Sequence, residues 1–395
     1  MTLSVRYSNH QELIKELNYF QTKRELLASA AYQKHQPYLA NLLKTPCVIL
    51  AQKSRPMVRD FLRVAHWNIE KGKHLDAVID TLRNHPTLGH ADLISLNEAD
   101  VGMNRSGQRF VAQELGAALG MHVAFAPCYL EFSKGYGDDL EMPGENTIAL
   151  QGNAILSRYE IKRPRIIQLP LCYDHFDHVE KRIGNRNALA CDIEIGGRQL
   201  CFVSTHLEVR NAPACRAKQI AAIVAKLEKP GTPRGAIIAG DFNSNTFARG
   251  GTFTTMRGFM RMMRSEPEKL KQALAAPQTQ EPLFTLLQEH GFSEREFNTN
   301  DVTCYVPMKI LEDSTTLPDF LAAAIDKQMA RYNHQLDFRL DWFIGRKEEP
   351  LRNSEVIDAH SGVASLPPQT ISGLVNEKGG QISDHNPITV DVRLT

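Results

Sequence analysis

The chain has 395 residues, 42% of them hydrophobic, and its 46 Lys and Arg against 45 Asp and Glu give a formal net charge of +1. This composition excludes a disordered or collagen-like chain, and the length suffices for one large α/β or all-β domain or for two smaller ones. The balanced charge excludes a surface that is basic throughout, but a local basic cleft would not show in the sum, so nucleic acid stays open as a partner.

The first 60 residues have the pattern of a helical extension. An N-cap at Ser8 or Asn9, followed by apolar residues at helical spacing, predicts a helix over residues 8–45. The N-terminus lacks the apolar segment of a signal peptide, and no apolar run approaches the ~20 residues needed to cross a bilayer. The seven cysteines are scattered and include no CxxC pair, which indicates reduced thiols. We therefore expect a cytoplasmic protein.

From residue 61 onward, short apolar runs alternate with helical patterns. Helices are predicted over 74–83, 108–119 and 212–228, and at least eight apolar runs have the length and alternation of strands. Two such runs flank Gly196 and Gly197, which predicts a tight hairpin. Residues 131–147 form a loop rich in Gly, Asp and Pro that is long enough to border a site. The alternation predicts strands and helices packed in layers.

Polar side chains stand at or beyond the ends of these apolar runs. A single such residue is typical of a solvated strand end or a turn cap. Taken together they amount to five acids, two amides and two histidines, and a spacing of two residues places several of them on one side of an extended segment. Such an oxygen-rich set suits Mg²⁺ or Mn²⁺ better than structural zinc. The residues are Asn68, Glu70, Glu98, His206, Asp241, Asn243, Asp341, Asp384 and His385.

From about residue 61 to 395, the sequence resembles the endonuclease/exonuclease/phosphatase superfamily of metal-dependent phosphoesterases. The matching blocks, in the family's order, are HWNIEKG, LISLNEAD, GNAILSR, STHLE, AGDFNSN, LDWFIG and SDHNPI. The resemblance implies an α+β fold of the DNase I-like kind, a four-layer α/β/β/α sandwich in which two mainly antiparallel sheets pack face to face with helices outside. It places the catalytic domain at 61–395, after a helical N-terminal extension over 1–60, and the active site at one end of the sandwich.

The resemblance also implies a role for each polar residue of the set. Metal binding falls to Glu98, the principal Mg²⁺ ligand, with Glu70, Asn68 and Asp384. Catalysis falls to Asp241, which orients or deprotonates the attacking water, and to His385, His206, Asn243 and Asp341. Binding of the substrate phosphate falls to Asn68, Asn243, His206 and Arg186. These roles fit the chemistry, because phosphoester hydrolysis needs an activated water, a clamp on developing charge and protonation of the leaving oxygen.

Four positions have a simpler interpretation beside the functional one. Arg186 fits a surface arginine equally well. Asn153, in NAILSR, is interpreted as an amide that closes a strand rather than a phosphate contact. Trp67 and Trp342 adjoin site residues, and we expect both to pack rather than to stack on bases.

Two further patterns are given minor weight. The cluster DHFDH at 174–178 has metal-binding residue types but no flanking strands, so we expect a loop, with a second metal site as the lesser alternative. The segment 253–264 places Phe and Met on one helical face and Arg on another. Core or lid packing is the first interpretation of that stripe, and a basic amphipathic helix at a membrane, nucleic acid or partner is the second.

The leading functional prediction is a divalent-metal-dependent phosphoester hydrolase, a nuclease-like phosphodiesterase that uses a water activated by the metal and Asp241. A lipid phosphodiesterase of the sphingomyelinase kind and a small-molecule phosphomonoesterase remain alternatives, since membership of a superfamily does not choose among substrates. A catalytically silent binding module is the alternative of another class. The expected partner is a phosphoester substrate; a membrane surface is disfavoured, and the sequence indicates no obligate protein partner.

Overall fold

The computed structural model describes residues 7, 9–177, 180–246, 257, 264–307, 327, 329–352 and 354–394. The predicted amphipathic segment 253–264 lies outside these residues except for Arg257 and Arg264. The helices are α1 His10–Asn18, α2 Lys23–Ala28, α3 Ala30–Leu42, α4 Leu75–Asn84, α5 Val111–Leu119, α6 Pro213–Leu227, α7 Pro267–Ala275 and α8 Pro282–Glu289.

The strands fall into two large sheets and one small one. The first sheet contains β1 Cys47–Ile49, β2 Phe61–Asn68, β3 Leu93–Val101, β4 His122–Glu131, β5 Leu150–Ser157, β7 Arg182–Gly184, β14 Gln369–Thr370 and β15 Ile388–Arg393. The second contains β6 Ile161–Gln168, β8 Asn187–Ile195, β9 Arg198–His206, β10 Gly235–Asp241 and β13 Asp341–Arg346. The small sheet pairs β11 Cys304–Pro307 with β12 Gln335–Phe338.

Strand pairing in the two large sheets is antiparallel with two exceptions. Strand β2 runs parallel to β3, and β9 runs parallel to β10. Each parallel pair is joined through a helix, α4 and α6 respectively, as a crossover between parallel strands requires. Consequently β2 and β3 end at the same edge of the first sheet, and β9 and β10 end at the same edge of the second.

Three apolar clusters define the layers. The central one joins inward-facing residues of both sheets, such as Val64 and Ile155 from the first and Phe202 and Phe343 from the second. A second cluster packs helices α1 to α5 on the outer face of the first sheet, and a third packs α6 and α8 on the outer face of the second. The predicted four-layer sandwich of two mainly antiparallel sheets with helices outside is thereby confirmed.

The N-terminal segment is not one helix but three. The chain breaks at Thr22, whose side chain caps α2 in a capping box with Glu25, and again at Ser29, which caps α3 by accepting a hydrogen bond from the Tyr32 amide. Side chains capping a new N-terminus satisfy amides that would otherwise lack partners, so each cap starts a separate helix. Strand β1 then pairs with β4, which ties the segment to the first sheet.

The hairpin expected at Gly196 and Gly197 is confirmed. Ile195 pairs with Arg198 across a two-residue turn, and both glycines have positive φ, at 57° and 85°. A two-residue turn with both φ angles positive matches the twist of the flanking strands, and glycine adopts it without a steric penalty.

The expectation that all cysteines are reduced is wrong for two of them. Cys172 and Cys215 form a disulfide that joins the loop before β7 to the first turn of α6. The Asn211 side chain also donates to the Cys172 carbonyl oxygen, at 2.6 Å. The other five cysteines are buried and are not part of a disulfide in the described chain. None of the helices in the described part of the chain is both long and apolar enough to span a membrane.

One buried ion pair links the neighbouring strands β2 and β15 of the first sheet. Arg63 of β2 donates from Nε and Nη2 to both carboxylate oxygens of Asp391 of β15, at 2.8 and 2.6 Å, and both side chains are almost fully buried. Arg393 on the same strand instead pairs with Glu349 and Glu355 at the surface.

We predict that Asp391→Ala lowers the free energy of unfolding by about 3–5 kcal/mol, because it leaves the Arg63 guanidinium buried without its counter-ion. Arg393→Ala, the matched control on the same strand, should cost about 0–1 kcal/mol, since exposed pairs contribute little. Urea unfolding followed by circular dichroism measures both values. Equal losses in the two variants would contradict a structural role for the buried pair.

Candidate active site

The register of the strands brings the polar strand ends together. In the second sheet Asp241, the last residue of β10, lies opposite His206 of β9 and Asp341 of β13. In the first sheet Asn68, the last residue of β2, lies opposite Asn97 of β3. Because the two sheets pack face to face, these ends form one polar cluster at one end of the sandwich.

Asp241 is held from both sheets. Its amide donates to the Asn97 side chain across the sheets, at 2.8 Å. One carboxylate oxygen accepts from the Asn243 amide at 2.8 Å, and the other accepts from Asn68 Nδ2 at 3.2 Å. That second oxygen also lies 3.3 Å from His206 Nε2. Burial, followed by the charge of nearby Asp341, raises the pKa of Asp241 to about 7 although His385 opposes the rise.

A second carboxylate, that of Asp341 on the neighbouring strand, contacts two histidines. Its Oδ2 lies 2.7 Å from His385 Nδ1, and its Oδ1 lies 2.9 Å from His66 Nε2. The Thr303 hydroxyl donates to the same Oδ2 at 2.7 Å. Burial opposes ionisation, but the charge and hydrogen bond of His385 and the hydrogen bond of His66 outweigh it and hold the pKa of Asp341 below its ordinary value.

The two histidines that face Asp241 differ in protonation. Burial lowers the pKa of His206 well below its ordinary value, and the charges of Arg186 and His385 add to this effect. Burial acts in the same direction on His385, but the neighbouring acids, Asp341 first, raise its pKa well above its ordinary value. At neutral pH the site therefore contains one neutral and one cationic imidazole.

Glu98 is aimed into the site by a β-bulge. The register between β3 and β5 shifts between Leu96 and Ala99, and Glu98 within this interval has a φ of 59°. A bulge redirects a side chain that regular alternation would place elsewhere. The Glu98 carboxylate consequently lies 3.5 Å from Asn68 Nδ2 and 4.0 Å from His206 Nδ1.

Two further carboxylates lie next to Glu98. Glu70 opens the turn after β2, and its carboxylate accepts from the Asp384 amide at 3.3 Å. Burial raises the pKa of Glu70, and the charges of Asp384 and Glu98 add to the rise. Burial likewise raises the pKa of Asp384, with Glu98 and Asp241 contributing and His385 opposing. The three half-buried carboxylates repel one another, which is the electrostatic setting that a bound cation relieves.

The amides Asn68 and Asn243 are oriented by the backbone around them. Asn68 presents its NH₂ group to the carboxylates of Glu98 and Asp241, and its Oδ1 accepts from the Glu70 amide at 3.2 Å. Asn243 donates from Nδ2 to the Leu207 carbonyl, at 3.0 Å. In this arrangement Asn68 donates hydrogen bonds toward the site. The NH₂ group of Asn243 is bonded to the main chain.

Arg186 is buried, so its interpretation as a surface arginine is wrong. It precedes β8, its guanidinium lies 5.9 Å from the centre of the Tyr129 ring, and its Nε has no hydrogen-bond partner in the described residues. Its charge contributes to the low pKa of His206 and opposes the rise in that of Asp241. Arg186 is thus a buried cation whose charge acts on both His206 and Asp241.

Asn153 and the two tryptophans have structural contacts. Asn153 Nδ2 donates to the Asn187 carbonyl at 3.0 Å, and its Oδ1 accepts from Asn97 at 2.8 Å. Asn153 lies in the middle of β5 rather than at its end, so the expectation that it closes a strand is wrong, and its amide instead links neighbouring strands. Trp67 and Trp342 are buried and packed, which confirms the expectation for both.

Sequence reasoning missed His66 and Thr303, which hold Asp341. His66 lies two residues before Asn68 in the same strand, so the period of two that placed Asn68 at the site also carried a signal for His66. Thr303 gave no comparable signal, because it lies outside every strand-end pattern and reaches Asp341 across 38 residues of sequence.

The predicted loop at 131–147 borders the site through Lys71. The Lys71 ammonium lies 3.1 Å from an Asp139 oxygen and 4.6 Å from the centre of the Tyr136 ring. Asp139 in turn contacts Lys73 and Arg105. Of the cluster 174–178, residues 174–177 form an irregular segment as expected, and residue 178 lies outside the described residues. Asp174 and Asp177 bond to Lys23 of α2. Within the described chain, no group of metal-binding spacing occurs there.

The fold is similar to several solved structures at low sequence identity. An endonuclease/exonuclease/phosphatase family protein from Leptotrichia buccalis C-1013-b has 15% identity and a TM-score of 0.46 over 84% of this chain and 100% of its own. The 3'-5' exonuclease NExo from Neisseria meningitidis has 14% identity and a TM-score of 0.44 over 84% and 100%. The human nocturnin catalytic domain with bound sulfate has 15% identity and a TM-score of 0.42 over 89% and 98%.

No curated protein sequence matches the chain. The profile of the endonuclease/exonuclease/phosphatase family, in contrast, matches residues 65–385 and so includes the whole predicted polar set from Asn68 to His385. By this match over most of its length, the protein belongs to the endonuclease/exonuclease/phosphatase family.

Proposed function

We propose that the protein is a divalent-metal-dependent phosphoester hydrolase that acts on phosphodiesters. The observation that carries this proposal is the setting of Asp241, a buried carboxylate that lies between one neutral and one cationic imidazole and next to a cluster of acids. A carboxylate with a pKa of about 7 accepts a proton from water near neutral pH, which a fully exposed aspartate does poorly.

The acid cluster fits Mg²⁺ or Mn²⁺. Glu98, Glu70 and Asp384 offer oxygen donors, which are the ligands these hard cations prefer. We assign the metal to these three carboxylates, with Asn68 beside them as a donor to phosphate. When bound, the cation would neutralise charge on the phosphate and polarise its P–O bonds.

The remaining residues have separate tasks around the phosphate. Asp241 orients the attacking water and takes its proton. The cationic ring of His385 and the guanidinium of Arg186 stabilise the negative charge that develops on the phosphoryl oxygens. His206 is neutral at pH 7, so it donates a hydrogen bond to phosphate rather than a full proton. Asn243 completes the binding of phosphate.

Asp341 is a positioning residue. It holds His385 by Nδ1, fixes the ring orientation and keeps the imidazole cationic, while His66 and Thr303 hold Asp341 itself. In this arrangement Asp341 keeps His385 cationic, although Asp341 itself does not contact the substrate.

We predict that Asp241→Ala and His385→Ala each reduce Mg²⁺-dependent hydrolysis of bis(p-nitrophenyl) phosphate by about 10²–10⁴-fold, because each removes a group that acts on the reacting atoms. Release of p-nitrophenol measures the rate. Glu160→Ala is the control, since this carboxyl is exposed at the opposite end of the sandwich. Parent activity in either site variant, with the control also active, would refute the assignment.

A panel of DNA, RNA, sphingomyelin, inositol phosphates and nucleotides, each with Mg²⁺ and with EDTA, tests the substrate class.

We predict that Asp341→Asn moves the alkaline limb of the kcat/KM profile to lower pH by about one unit or more. The anion of Asp341 is the main cause of the raised pKa of His385, so its removal lets the ring lose its proton at lower pH. A pH series from 5.5 to 9.5 on the same substrate measures the shift. An unchanged alkaline limb would show that His385 does not act as a cation.

We predict that Mg²⁺ raises the unfolding temperature more at pH 8 than at pH 5.5, by about 2 °C or more. The pKa of Asp241 is raised to about 7, and those of Glu70 and Asp384 are raised, whereas unfolded carboxyls ionise near 4. The folded state therefore loses stability as pH rises through these raised values, and a cation offsets the loss only where the carboxylates are ionised. Differential scanning fluorimetry measures the shifts. Equal shifts at both pH values would contradict a cation site built from these groups.

A further inference from the structure

A buried thiol lies against the catalytic segment and takes no part in the proposed reaction. Cys304 begins β11 and forms a β-bridge with His385. The backbone on either side of Cys304 reinforces this contact, since the Tyr305 amide donates to the Asp384 carbonyl at 3.1 Å and the Asn386 amide donates to the Thr303 carbonyl at 2.7 Å. The thiol is thus fixed beside two residues of the site by main-chain hydrogen bonds.

Cys304, Asp384 and His385 together offer sulfur, oxygen and nitrogen donors. One ligand atom from each residue lies within 4.8 Å of those of the other two, and among the described residues this is the one such group. Cys304 and His385 are buried and Asp384 is half-buried. A mixed Cys, His and carboxylate set is typical of Zn²⁺, whereas Mg²⁺ takes oxygen ligands.

Asp341 holds the His385 imidazole by one of its two nitrogens. His385 Nδ1 is engaged with Asp341 at 2.7 Å, so Nε2 is the nitrogen left to bind a cation. A histidine that ligates zinc through one ring nitrogen usually holds a carboxylate with the other. Three protein ligands and one open position for water complete a tetrahedral Zn²⁺ site.

We propose that Cys304, Asp384 and His385 form a Zn²⁺ site that overlaps the Mg²⁺ site at Asp384, and that Zn²⁺ there excludes catalysis. The two sites share Asp384, and zinc would engage His385, which the reaction needs as a free cation. Occupation by Zn²⁺ therefore prevents hydrolysis even when Mg²⁺ is in excess. The inhibitory consequence rests on the proposed function, whereas the binding of Zn²⁺ does not.

The first test measures binding without activity. Co²⁺ added to the full-length protein should give the near-ultraviolet charge-transfer band of a thiolate ligand, and Zn²⁺ should displace it. Cys304→Ser should abolish the band and weaken Zn²⁺ binding, measured by competition with a chromophoric chelator, by at least about tenfold, because the thiolate is a principal zinc ligand. Cys47→Ser, which alters a buried cysteine on β1, is the matched control and should behave as the parent. An unchanged band or unchanged zinc affinity in Cys304→Ser would overturn the proposal.

The second test measures inhibition. Zn²⁺ should inhibit Mg²⁺-dependent hydrolysis by the parent and by Cys47→Ser, and the inhibitory concentration should rise in Cys304→Ser by the same factor as the binding constant. Zn²⁺ should also raise the unfolding temperature of the parent but not of Cys304→Ser, and far-ultraviolet circular dichroism verifies that this variant is folded. If the parent hydrolyses no phosphoester, the proposed function fails while the cobalt band and zinc affinity still decide the site. Zinc binding without inhibition would overturn the exclusion of catalysis.

Discussion

The carboxylate of Asp341 is the interaction on which the end of the sandwich depends. It lies in the second sheet and is bonded by His66 from the first sheet and by His385 from the segment that precedes β15. Thr303 adds a third bond from outside both sheets. A buried anion is costly without partners, so these bonds require the two sheets to end in register with each other. The positions of His385 and Asp241 relative to each other follow from this junction.

Polarity along the space between the sheets changes from one end to the other. The middle contains the apolar cluster that includes Val64, Phe202 and Phe343. Toward the site, Ser95 of the first sheet donates to Ser204 of the second at 2.8 Å, and Asn97 then accepts from the Asp241 amide. The apolar part stabilises the sandwich through burial, and the polar part determines the orientation of side chains because each donor needs a particular acceptor. One interlayer space thus provides both stability and a site.

Many strands and helices and much of the cluster could be predicted because their signals are local, whereas the four-layer sandwich was expected from the resemblance to the family. A polar residue after an apolar strand, or two glycines between alternating runs, is visible in a short stretch of sequence, and Asp241 and Gly196 were located in this way. The capping box of Thr22 and Glu25 was equally local, so the division of the N-terminal helix was available from the sequence and was missed. The roles assigned to the site residues stay predictions.

What could not be predicted depends on tertiary contacts. Thr303 and Asp341, and Cys172 and Cys215, are joined only in the folded chain, and no periodicity connects them. The state of Arg186 was open for the same reason, since the residue follows a loop and its burial results from packing against the Tyr129 region. A sequence pattern describes one segment of the chain, whereas the groups that surround a buried cation such as Arg186 come from other segments.

The distribution of charge explains why so many acids can share one site. Beside the site, Lys71 and Lys73 contact Asp139, and the buried Arg105 contacts Asp100 and Asp139, so these acids have cationic partners within the chain. At the centre, Asp341 is neutralised by His385 in the same way. Glu70 and Asp384 are different, because burial and neighbouring acids raise their pKa and the chain supplies no full compensation. Carboxylates balanced by fixed cations build the frame of the site, and those left in mutual repulsion are the ones available to a mobile cation. In the proposed assignment, the division between frame residues and metal ligands follows this distribution of charge.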